Sequence, residues 1–102
     1  MARFPRHEMI KTVTKLEALS GDLRHIMNGV VPDEELLRAA PILENWSVRP
    51  APFPVLVGNV SGHPKLMDGE IVTSQLFLIE DRQNWARTFS RYYRLGEQAR
   101  RG

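Results

Sequence analysis

Three arginines, Arg87, Arg91 and Arg94, stand among Trp85, Phe89, Tyr92 and Tyr93 within ten consecutive positions. A guanidinium is a planar fork that pairs with phosphate or carboxylate, and aromatic rings stack on nucleic-acid bases. No lysine occurs after Lys65, so this basic character is fork-shaped throughout. On a strand, alternation would put Trp85, Arg87, Phe89, Arg91 and Tyr93 on one face, with Thr88, Ser90, Tyr92 and Arg94 on the other. A purely structural use competes with this reading. The rings can be core, with arginine stems over them and charged heads in water. The arginines can equally pair with acids such as Glu34, Glu35 or Glu44.

Other chemistry has less support. In one continuous helix His7 and His25 would share a face about 27 Å apart, too far to share a metal. His63 sits between Gly62 and Pro64, where an imidazole suits holding the loop by backbone hydrogen bonds more than a catalytic or metal role, although an exposed ring there can still be functional. Ser74 lacks the glycine context of a nucleophile elbow, and Thr73-Ser74 suits cross-strand or turn hydrogen bonds. Gly58, Gly62 and Gly69 form neither a phosphate loop nor a dinucleotide fingerprint. The chain has no cysteine, which removes thiolate chemistry, disulfides and cysteine-held metals. The inventory argues against an enzyme, a metal or a cofactor.

The elements that position these residues follow from pattern. With 102 residues, 42% hydrophobic and 25% charged, the chain reads as one soluble domain. The net charge of +2 is uneven: six arginines face one acid from Arg82 onward, while residues 1–81 hold eight basic and eleven acidic residues. The basic start lacks the apolar run of a secretory signal, and Leu76-Phe77-Leu78-Ile79 is too short to span a bilayer. A cytoplasmic protein without a membrane role is expected.

Met9, Val13, Leu16, Leu19, Leu23, Ile26 and Met27 recur at helical spacing. They predict a helix over 6–28, unbroken at Gly21 because the stripe keeps its phase across it. Pro32-Asp33-Glu34-Glu35 predicts a second helix over 32–40, its acids placed where the helix dipole favours them. Ile42 to Trp46 suits a further helical turn, and the prolines of 48–54 predict an extended connection or strand edge. Strands are predicted at 55–60, 70–79 and 85–93, with the reversal signal Asp68-Gly69 between the first two. Trp85, Phe89 and Tyr92 also fit helical spacing, but their β-propensity favours a strand. Residues 97–102 read as a mobile tail.

The stretch Gly58-Asn59-Val60-Ser61-Gly62-His63-Pro64, then Asp68-Gly69, Thr73-Ser74 and Trp85-Ala86-Arg87-Thr88 through Ser90-Arg91 and Tyr93-Arg94-Leu95-Gly96, resembles an uncharacterised family of small alphaproteobacterial proteins. Some of these are carried by phages or plasmids. The resemblance covers roughly residues 55–96 and brings no catalytic residues with it. It implies a β-meander and a regulator or inhibitor rather than a metabolic protein.

The expected fold is α+β: a long N-terminal helix and a short second helix packed on a three-stranded antiparallel β-meander. Leu16, Leu23, Ile26, Leu36, Val57, Val72, Leu76, Leu78 and Trp85 are the expected core. The expected function is non-catalytic binding of a protein partner, by a phage- or plasmid-borne regulator or counter-defence inhibitor. A nucleic-acid binder using the C-terminal arginines is the alternative, and an enzyme using His63 ranks last. Candidate binding residues are His63, Arg87, Arg91, Tyr92, Tyr93 and Arg94. An open sheet edge would also permit a homodimer.

Overall fold

A computed structural model describes residues 5–50 and 52–100. It divides into two compact units, residues 1–31 and 32–102. The first is built on helix α1, Arg6–Met27, which runs through Gly21 without a break. Glu8 in its first turn and Arg24 and His25 in its last complement the helix dipole. Gly29 ends it at φ 83°. The N–H of Val30 then donates to the His25 carbonyl and that of Gly29 to the Ile26 carbonyl, which satisfies two of the last free acceptors.

The second unit opens with α2, Glu34–Ala39. The Asp33 carboxylate caps it by accepting the Leu36 N–H at 2.8 Å, and Glu34 and Glu35 occupy the first turn. These acids therefore serve the helix terminus, the role that the sequence suggests.

Five strands follow: β1 Ile42–Arg49, β2 Val55–Ser61, β3 Gly69–Glu80, β4 Trp85–Thr88 and β5 Tyr92–Leu95. They pair in sequence order and close into a barrel. This corrects the expected three-stranded meander. An odd number of up-and-down strands must close in parallel, and β5 does run parallel to β1, with Ile42 opposite Arg94 and Leu43 opposite Leu95. Strand β3 serves both halves of the wall. Its first part pairs with β2, and from Leu76 onward it pairs with β4.

Two differences from the sequence reading produce the closure. Ile42 to Arg49 is a strand, not a helical turn followed by a connection. Its register slips between Glu44 and Ser47, and Asn45 there adopts φ 52°. This bulge inserts an extra residue, so the inward-facing Leu43 and Trp46 lie three apart and imitate helical spacing. The predicted strand 85–93 is in fact two strands joined by a tight turn. In that turn Thr88 exchanges hydrogen bonds with Arg91, and its Oγ1 accepts the Ser90 N–H at 3.3 Å. The turn between β3 and β4 lies between the strands predicted at 70–79 and 85–93, with Asn84 at φ 63°.

The interior is filled by Leu43, Trp46, Leu56, Val60, Leu76, Ala86, Tyr93 and Leu95. Each fully buried leucine, such as Leu43 or Leu56, contributes about 1.5–3 kcal/mol relative to exposure. Of the residues expected in the core, Leu76 and Trp85 are buried, whereas Leu16, Leu36 and Val72 are exposed. Residues 97–99, expected to belong to a mobile tail, lie along β1. The Trp46 N–H donates to the Glu97 carbonyl and the Ala99 N–H to that of Trp46. Residues 101 and 102 of that expected tail lie outside the described residues.

Candidate functional site

The hairpin of β4 and β5 sorts the arginine and aromatic residues differently from a single strand. Trp85 lies opposite Arg94, Ala86 opposite Tyr93 and Arg87 opposite Tyr92. Paired residues share a face, so Tyr92 and Arg94 join Trp85 and Arg87 on the outer wall, while Ala86 and Tyr93 enter the barrel. The expected grouping of Arg87 with Tyr93 is thereby corrected.

The outer group is tightly knit. The Trp85 and Tyr92 rings meet edge to face at 5.7 Å, and the Arg87 guanidinium lies 5.3 Å from the centre of the Tyr92 ring. Arg87 is only 2% exposed, and its Nη1 donates to the Thr88 carbonyl at 2.6 Å and the Phe89 carbonyl at 3.3 Å. Its donors thus hold the hairpin turn, and the residue offers no open face to a ligand. Arg94 is partly exposed, with a buried Nε that has no acceptor among the described residues.

His63, Arg91 and Tyr93 form a second group, where the loop after β2 meets the β4–β5 hairpin. The loop carrying His63 is fixed by glycine and aspartate: Gly62 adopts φ 75°, and the Asp68 carboxylate accepts the Gly62 N–H at 3.3 Å. His63 Nδ1 accepts the N–H groups of Lys65 and Leu66 at 3.0 and 3.1 Å. The histidine therefore holds its own loop. Its ring centre lies 6.3 Å from that of Tyr93. Burial, then the positive charges of Arg91 and Lys65, hold the imidazole below its ordinary value. Burial also raises the Tyr93 phenol, against the opposing pull of Arg91.

Thr73 and Ser74 have the hydrogen-bonding roles that their sequence suggests. Thr73 Oγ1 accepts the Leu56 N–H at 3.0 Å where the β2–β3 register slips. Ser74 Oγ bonds Ser90 Oγ at 3.1 Å and accepts the Ser90 N–H at 3.2 Å, fastening the β4–β5 turn to β3. Among the described residues no three His, Asp or Glu side chains converge to hold a metal ion. No helix among them is long and apolar enough to cross a membrane.

A family model described as a family of unknown function (DUF6634) matches residues 14–100. The chain belongs to this family. The match takes in every strand of the barrel, both helix-bearing segments from residue 14 onward, and all six candidate binding residues. It thus reaches well beyond the 55–96 stretch on which the sequence resemblance rests. No curated protein and no solved structure matches the chain.

Leu16, expected in the core, belongs instead to an exposed apolar stripe. On α1, Met9, Ile10, Val13 and Leu16 are each about half exposed, between 48% and 54%. Arg6, Thr14 and Glu17 join three of them around a groove of about 530 Å³. Periodicity identified most of this stripe.

Proposed function

We propose that this protein is a small non-catalytic binding protein that acts through protein–protein contact, and that the N-terminal half of α1 is its contact surface. The half-exposed stripe of Met9, Ile10, Val13 and Leu16 carries this reading. Contiguous apolar side chains along one helix face are the usual form of a helix-in-groove interface. The rim supports a protein partner over a lipid surface. Arg6 and Glu17 contribute opposite charges to the same groove, whereas membrane-binding helices are predominantly basic on their polar face. The occupant is a partner protein's apolar helix, clamped by a regulator or inhibitor of the kind that a phage or plasmid would carry. The nucleic-acid reading has less support, because Arg87 is committed inside the hairpin.

The test places a photo-crosslinker at Val13 in cells of the native host. The expected result is one protein adduct that survives nuclease treatment and disappears with Leu16→Asp in a chain still folded by circular dichroism. Transfer of the crosslink to nucleic acid, or an adduct indifferent to Leu16→Asp, overturns the proposal. Sedimentation of the purified chain covers the remaining occupant: a dimer dissociated by Leu16→Asp would replace the foreign partner with a second copy.

A further inference from the structure

We propose that the surface framed by His63, Lys65 and Arg91 binds an oxyanion, with Arg91 as the charged anchor and the His63 Nε2–H as a second, directed donor. The inference is independent of the α1 surface.

The His63 imidazole and the backbone of Arg91 are held in place before any ligand arrives. Because His63 Nδ1 accepts two backbone N–H groups, the neutral ring carries its proton on Nε2, directed away from the loop. Arg91 sits in a turn that fixes its backbone at both ends: its carbonyl accepts the Thr88 N–H at 2.9 Å, and its N–H donates to Thr88 Oγ1 at 3.3 Å. A donor fixed as the His63 ring is loses little freedom on binding.

Among the described residues, neither Arg91 nor Lys65 has a carboxylate partner. Arg91 Nε is buried without an acceptor among the described residues, an arrangement that is unfavourable for a charged group. The nearby Asp68 carboxylate is engaged with the Gly62 N–H. The charges that perturb His63 are both positive. Like charges gathered around a fixed hydrogen-bond donor repel one another until an anion enters, and a phosphate or carboxylate matches the guanidinium fork.

The experiment follows the His63 ring resonances by NMR in the full chain, titrated at constant ionic strength with inorganic phosphate and, separately, with acetate. The expected result is a saturable shift with a midpoint on the order of 1 mM, weakened about tenfold by Arg91→Gln and less by Arg91→Lys. Saturation by phosphate alone assigns the site to phosphorylated ligands, and saturation by acetate, alone or equally with phosphate, assigns it to carboxylates. If Arg91→Gln does not fold, Lys65→Gln, in the exposed loop, must weaken binding in its place. Absence of a saturable shift with either anion, or equal binding by wild type and a folded variant, overturns the proposal.

Discussion

The indole N–H of Trp46 donates to the carbonyl of Gly96 at 3.1 Å, across 50 positions of sequence. The bond crosses the seam where β1 meets β5 and helps close the barrel. Trp46→Phe keeps most of the ring but leaves that carbonyl without its donor, so a loss of about 1–2 kcal/mol is expected. Urea unfolding measures it. Faster hydrogen exchange at the Gly96 and Ala99 amides, both bonded to β1, would place the damage at the seam.

Gly58 faces the bulge that turns Trp46 inward. A methyl group there would lie 2.8 Å from the Glu44 carbonyl oxygen, 3.0 Å from Leu43 Cγ and 3.1 Å from Trp46 Cα. Two of these atoms belong to backbone held in the barrel wall. Gly58→Ala is therefore expected to cost about 1–3 kcal/mol through overpacking. A shift in the urea midpoint without a change in slope is the diagnostic result.

The same bulge explains what the sequence could not reveal about the fold. Leu43 and Trp46 are spaced by three because Asn45 is the added residue, so a period of two is hidden at the point where β1 must be recognised. Gly58 gives only half of the signal, since its need for space depends on Leu43, Glu44 and Trp46 in a neighbouring strand. Local signals were sufficient at three other places. The α1 stripe, the acids at α2 and the Asp68-Gly69 reversal each lie within a few residues, and each forms the element expected of it.

Thr73 tests the second register slip. Its hydroxyl accepts the Leu56 N–H, a buried bond, and donates to the Ser74 carbonyl at 2.8 Å. Thr73→Val keeps the shape and leaves a buried donor unsatisfied, with an expected cost of about 1–3 kcal/mol. Thr73→Ser keeps the hydroxyl and is expected to lose well under half of that. A loss in Thr73→Ser as large as that in Thr73→Val would show that the γ-methyl contributes as much as the hydroxyl's bonds.

His63 gives the protein a defined pH response. Its folded-state value lies below the ordinary 6.5, so the unfolded chain takes up that proton first as pH falls. The contribution of His63 is complete above pH 6.5 and declines as pH drops through that value toward the lower folded one. Protonation also removes the Nδ1 acceptor for Lys65 and Leu66. Stability measured by urea midpoint is expected to fall across this window, and His63→Gln should flatten that part of the profile.

The candidate site was legible in residue type but not in grouping. Sequence marked Arg87, Arg91 and Arg94 as one set because they stand among aromatic rings within ten consecutive positions. The turn at 89–91 divides them, taking Arg87 into the hairpin and leaving Arg91 beside His63. Proximity between Arg91 and His63, nearly thirty positions apart, is a product of barrel closure, and no local pattern encodes it.

An odd strand count has a consequence for rewiring this barrel. Since the first and last strands point the same way, the start of β1 and the end of β5 cannot be joined by a tight hairpin. A circular permutant would need a crossover returning along the strand direction, about 3.3 Å for every residue of height recovered. The chain order of this small domain is thus built into its geometry, unlike that of an even-stranded barrel whose outer strands meet head to tail.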